Sequence, residues 1–173
     1  MTMKKLFLYI IAVGIFCAST PMSASAYFTS AQSAELLEDG KGILYTVTYD
    51  FGTEKYDLYL PIFPVRADRL SSLSYKFIDE VEGETYRGGE SVGVVTSNAQ
   101  IKDGAYFIPK GEARRLTLMV LLVLPPAPIE PAVDLALQVT GLPFKMVSTS
   151  KEVDTHLNPS ELQYYRTPAV SFQ

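Results

Sequence analysis

Histidine, the side chain best suited to acid–base work near neutral pH, occurs once in the 173 residues, at His156. Asp154 lies two positions before it, within reach of a local contact. A Ser–His–Asp triad needs only one histidine, but the chain has no Gly-x-Ser-x-Gly turn to present a serine. The surrounding run, Lys151 to Leu157, is polar and reads as a loop with a solvated histidine. The single cysteine, Cys17, falls in a leader that is expected to be removed. Zinc and copper sites draw on several His or Cys ligands, so no such metal is expected, and no cofactor.

Carboxylates are the remaining chemical resource. Asp79-Glu80-Val81-Glu82-Gly83-Glu84 gathers four acids. Oxygen ligands suit calcium, but the spacing departs from the loop of alternating acids, glycine and a distal Glu. The run reads as a solvated acidic loop, with calcium binding left open. Two carboxylates about 5–9 Å apart can hydrolyse a glycosidic bond. Any acidic β protein offers such pairs by chance, so a carboxylate hydrolase is the weakest reading. Arg87-Gly88-Gly89-Glu90 lacks the Lys-Ser/Thr and helix start of a phosphate-cradling loop. The expectation is a protein that is not an enzyme.

Binding is better provided for, chiefly by tyrosine. Tyr45, Tyr49, Tyr56 and Tyr75 fall on apolar faces and read as core. Tyr59, Tyr86, Tyr106, Tyr164 and Tyr165 fall on polar faces or in loops, and are the candidate exposed contact residues. An exposed tyrosine gives rigid amphipathic area with a hydrogen-bonding tip, fit for a sugar or a protein partner. The plainer alternative is that these rings cover the ends and edges of the fold.

The elements that must position them are strands. Period-two alternation puts every second side chain on one face. Over 43–51, Ile43, Tyr45, Val47, Tyr49 and Phe51 share a face opposite Thr46, Thr48 and Asp50. Asp39-Gly40 marks a turn before it, with a weaker strand from Gln32 to Leu37. Further strands are expected over 56–63, 73–81, 91–96 and 104–108. Pro61 and Pro64 should place the first of these at an edge or break it. The run 115–124 is apolar on both faces and reads as a central strand covered on both sides, with exposure of one face for assembly the alternative. Proline-rich 125–131 reads as a crossover loop. A strand over 133–140 is expected to break at Gly141-Leu142-Pro143, with Phe144, Met146 and Val147 starting another. Asn158-Pro159-Ser160-Glu161 has the marks of a helix start, giving one short C-terminal helix or turn through Tyr165. Residues 167–172 read as a final strand.

The first 26 residues form a secretory leader in three blocks. Lys4 and Lys5 supply the positive start, Leu6 to Ala18 the apolar run, and Ala24-Ser25-Ala26 the small-x-small cleavage site. The apolar run is shorter than the roughly 20 residues needed to span a bilayer. Cleavage after Ala26 leaves residues 27–173 as a single domain with no cysteine and no membrane span. It removes two lysines and no acid, so the net charge moves from −4 to −6. Phosphate backbones repel such a chain, which argues against nucleic-acid binding. The expected location is the periplasm, the cell surface or the medium.

Short strands with turn signals at this rhythm make the expected fold class all-β, a two-sheet β-sandwich of about seven to nine strands. A small β-barrel is the alternative. In length and rhythm, residues 30–172 resemble the immunoglobulin-like domains of exported bacterial proteins. Asp103-Gly104-Ala105-Tyr106 is similar to the run that carries the tyrosine corner, but no Cys follows at Phe107 or Ile108, so that role is not carried over. The resemblance is at fold level; the export signal, the sandwich pattern and the absent catalytic sets together point to a non-catalytic adhesion, envelope-associated or assembly domain. Its partner would be a protein or another cell-envelope component, with self-association included. The alternative is a small-ligand protein binding carbohydrate or peptide.

Overall fold

The computed structural model describes residues 29–62, 73–125, 132–149, 151–157, 162 and 165–172. The leader with Ala24 and Ala26, most of the proline-rich crossover and Tyr164 lie outside these residues. So does most of the expected C-terminal helix. The described residues are all-β, with twelve strands and no helix. In chain order these are β1 (Thr29–Leu36), β2 (Gly42–Gly52), β3 (Asp57–Pro61), β4 (Ser74–Asp79), β5 (Thr85–Tyr86) and β6 (Glu90–Ser97). Then follow β7 (Gln100–Lys102), β8 (Ala105–Ile108), β9 (Ala113–Val123), β10 (Val133–Val147), β11 (Glu152–Leu157) and β12 (Val170–Phe172).

They form two antiparallel sheets. The first runs β1-β2-β9-β6. The second runs β5-β4-β10-β3-β8-β7, with β11 and β12 also pairing β10. Each sheet turns an apolar face inward. Ile43, Tyr45, Val47, Tyr49 and Phe51 of β2 and Leu116, Leu118, Val120 and Leu122 of β9 are buried from the first sheet. Leu58, Tyr75, Phe77, Ile108, Leu135 and Leu137 meet them from the second. Phe51 and Phe144 pack edge to face across the gap, with ring centroids 5.0 Å apart.

Tyrosine hydroxyls tie the layers together. Tyr45 of the first sheet donates to the Leu135 carbonyl of the second at 3.2 Å. Tyr106 donates to the Val95 carbonyl at 3.2 Å, and Tyr75 shares a 2.9 Å bond with the Ser91 hydroxyl. A buried hydroxyl needs a partner, and these find one on the opposite sheet.

β10 corrects the expected break at Gly141. It is one strand of 15 residues with an irregular register between Val139 and Gly141. Before the shift the odd-numbered side chains Val133, Leu135, Leu137 and Val139 point inward. After it the even-numbered Leu142, Phe144 and Met146 do. One inserted residue reverses the alternation without ending the strand. Gly141 suits this position, because a Cβ would lie 2.7 Å from the buried Ser74 hydroxyl and force it to shift. The partners change as well: β4 pairs β10 up to Gly141, and β3 and β11 take over beyond it.

The strand count exceeds expectation for identifiable reasons. β5 and β7 are too short to leave a periodic signal, and β11 occupies the run read as a polar loop. Its outward Glu152, Asp154 and His156 face solvent while Leu157 is buried. His156 is therefore an exposed strand residue opposite Pro143.

Candidate functional site

The outer face of the second sheet gathers most of the chemistry. Antiparallel register aligns Asp154 of β11, Lys145 of β10, Tyr59 of β3, Phe107 of β8 and Gln100 of β7 in one row across five strands. Period two sends this row outward, since Leu58 and Ile108 beside it are core. Tyr59 and Phe107 pack with ring centroids 5.0 Å apart. The Lys102 ammonium sits 4.6 Å from the Phe107 centroid and 5.7 Å from that of Tyr59, an exposed cation–π arrangement. A hydrogen bond with the Tyr59 hydroxyl is the main cause of a raised Lys102 pKa. Lys145 is raised as well, first by its hydrogen bond to Glu152 and then by that carboxylate's charge.

Beside this row lies an open depression of about 670 Å³. Its cause is visible in the ladder. β3 and β10 pair from Asp57–Val147 to Tyr59–Lys145 and stop there. The next outward residues along each strand are Pro61 and Pro143, and neither can donate to a ladder. Pro61 stays beside Ala105 of β8, and Pro143 stays beside His156 of β11. The two strands part between them, and both prolines line the depression. Pro61 does end β3, as expected, but β3 lies between β10 and β8 and not at an edge. Three carboxylates stand around the opening: Asp103, Glu152 and Asp154. Lys145 is committed to Glu152, and neither Asp103 nor Asp154 forms an ion pair among the described residues. Asp103 has φ 52° and Gly104 φ 74°, the left-handed pair that a two-residue hairpin turn demands.

The candidate tyrosines separate into different roles. Tyr59 is half-buried on this outer face. Tyr86 and Tyr106 are half-buried and pack against the core. Burial raises the Tyr86 pKa, and the Tyr106 hydroxyl is used on the first sheet. Tyr165 corrects its expected exposure, because it is buried and only 5% exposed. Its carbonyl accepts from the Val139 N–H, and Thr167 exchanges backbone and side-chain bonds with Leu137. That docks the segment along the open side of β10 and turns the Tyr165 ring edge-on to Tyr49, at 5.2 Å.

The acidic loop is the β4–β5 hairpin turn. Asp79 is buried, its carboxylate accepts from the Val81 N–H, and its carbonyl accepts from Gly83. Glu80 pairs with Arg166. Among the described residues no group of three His, Cys, Asp or Glu is placed to hold a metal ion.

A second surface was only half legible in the sequence. β9 is central in its sheet, but its outer face is not covered as expected. Met119 and Leu121 are half-buried, and Val123 is 45% exposed. Register sets Leu121 between Val92 of β6 and Leu44 of β2, and Met119 beside Val94. Val92 and Val94 are 65% and 50% exposed. Leu37 closes the patch over Gly42, next to Leu121. The rim is polar, with Glu90, Thr96 and Thr117, and then the Arg115–Asp50 ion pair. β6 was expected as a strand over 91–96, but its short valine run carried no information about which face would be covered.

Comparison with known proteins gives no matching family model, no matching curated protein and no matching solved structure. No helix among the described residues is long and apolar enough to cross a membrane.

Proposed function

We propose that this chain is an exported, non-catalytic β-sandwich module of immunoglobulin-like type that works through protein–protein contacts, as an adhesion, envelope-associated or assembly domain. The observation that carries the reading is the apolar outer face of the first sheet. Outer faces of antiparallel sheets are normally polar, and a contiguous apolar patch with a polar rim marks a contact surface. Here Leu44, Val92, Val94, Met119, Leu121 and Val123 stand together, with Glu35 beside Leu44 and Glu90 beside Val123 at the margin. Export rests on the leader sequence. The first strand begins at Thr29, three residues beyond Ala26, so removal of the leader leaves every described strand in place.

A photo-crosslinking residue placed at 94 in the full chain, expressed in its own cells, tests the contact reading. Discrete adducts of reproducible mass are expected from 94. The same probe at 107, on the other outer face, should give none of that mass. Absence of adducts at 94, or the same adducts from both positions, contradicts the reading. Processing is tested by mass spectrometry of the exported protein, with Tyr27 expected as its first residue.

A further inference from the structure

We propose that the depression beside Tyr59 is a binding site for a short peptide segment that presents an apolar side chain next to a lysine or arginine. This inference does not depend on the apolar face of the first sheet, which lies on the opposite side of the sandwich.

The apolar requirement comes from the gap between β3 and β10. The ladder stops at Tyr59 and Lys145, and Pro61 and Pro143 face the space beyond. A separate small void of about 20 Å³ lies on the inner side of the same gap. Pro61 and Pro143 line it too, together with Leu60, Leu116 and Leu142. An apolar side chain in the depression would therefore rest against the two proline rings, which stand between it and the core leucines. Such an anchor, seated in a prepared apolar slot, supplies most of the contact free energy in peptide recognition.

The cationic requirement comes from the rim. Asp103 and Asp154 flank the opening with no ion pair among the described residues, and Lys145 is held by Glu152. Asp103, Glu152 and Asp154 stand against Lys145 and the nearby Lys102, so the opening keeps one negative charge in excess and would attract a guanidinium or ammonium. A sugar fits less well. The Tyr59 ring is tilted against Phe107 and has the Lys102 ammonium 5.7 Å from its centroid, which crowds the aromatic face that a pyranose would stack on.

The test uses the folded chain 27–173 and three fluorescein-labelled pentapeptides, read by fluorescence anisotropy. Gly-Arg-Leu-Arg-Gly should bind saturably and weaken with added salt. Gly-Glu-Leu-Glu-Gly, which reverses the charge, and Gly-Arg-Ser-Arg-Gly, which removes the anchor, should each bind at least about tenfold more weakly. Asp103→Asn and Asp154→Asn should each weaken the first peptide severalfold. Both side chains are exposed, and asparagine tolerates the left-handed conformation at 103, so an unchanged circular dichroism spectrum is expected from both. Leu121→Lys, on the first sheet, should leave binding unchanged, which separates this site from the contact face. Three results overturn the proposal: no saturable binding of Gly-Arg-Leu-Arg-Gly, equal binding of all three peptides, or full binding by the Asp103→Asn, Asp154→Asn double variant.

Discussion

The two outer faces of this sandwich are built from the same period-two strands, yet they differ in kind. The first sheet turns valine, leucine and methionine outward in a patch whose charges, Glu35, Glu90 and the Arg115–Asp50 pair, stand at its margin. The second turns out a row of acid, lysine, tyrosine and phenylalanine beside a depression where two prolines end a ladder. The inner faces, by contrast, are alike: both are buried aromatic and aliphatic rows. The fold therefore needs only one face of each sheet, and the other is free to specialise. Broad apolar contact suits a protein surface, and a charged slot suits a smaller ligand.

That contrast can be broken first at the shared interior. Phe51→Ala or Phe144→Ala removes one ring of the edge-to-face pair that joins the sheets. A loss of about 3–5 kcal/mol is expected by urea denaturation. Met119→Ala on the outer face should cost less than about 1 kcal/mol. Equal losses would mean that both faces of the first sheet are interior.

The next effect sits at the bulge that gives β10 its two sets of partners. Gly141→Ala drives a Cβ to 2.7 Å from the Ser74 hydroxyl, and should cost about 1–3 kcal/mol. The Ser74 Cβ is 4.0 Å away, so Ser74→Ala in the same chain should recover most of that loss. Failure of the double variant to recover would place the constraint in the backbone.

A smaller change of opposite sign is expected at Tyr49. Its hydroxyl is buried with no hydrogen-bond partner among the described residues. Tyr49→Phe removes that uncompensated group and should raise stability by up to about 2 kcal/mol, seen as a higher urea midpoint. Tyr45→Phe loses the bond to the Leu135 carbonyl and should not stabilise.

The same two rings set an alkaline limit. Burial raises the pKa of both Tyr45 and Tyr49, with smaller contributions from Tyr86 and Tyr165 respectively. A group whose folded pKa is raised stabilises fully below its unfolded value and loses that contribution as pH climbs. The melting temperature should therefore hold up to about pH 10, the unfolded tyrosine value, and fall above it. Tyr49→Phe should fall less steeply.

Much of this architecture was readable from residue order. β2 declares itself through Ile43, Tyr45, Val47, Tyr49 and Phe51, and β9 through Leu116 to Leu124, because one buried face forces strict alternation. What could not be read depends on partners distant in the chain. β11 is polar on one side and pairs with the distant β10, so its own residues look like a loop. The bulge at Gly141 reverses the alternation and imitates a strand end. Tyr165 goes inside because its own carbonyl accepts from Val139 and Thr167 bonds to Leu137, contacts that no local pattern announces. The candidate site follows the same rule. Tyr59 was visible as an outward ring, but Asp103, Lys145, Glu152 and Asp154 reach it from three other places in the chain.

The difference between an inner and an outer face within one strand is tested most directly by two charges placed side by side on β9. Leu118→Lys and Met119→Lys are adjacent in sequence and opposite in direction, and urea denaturation reads both. Leu118→Lys should leave no cooperative transition, since an unpaired ammonium would be buried. Met119→Lys should keep a cooperative transition within about 1 kcal/mol of the parent. Loss of folding by Met119→Lys, or tolerance of Leu118→Lys, would contradict the account.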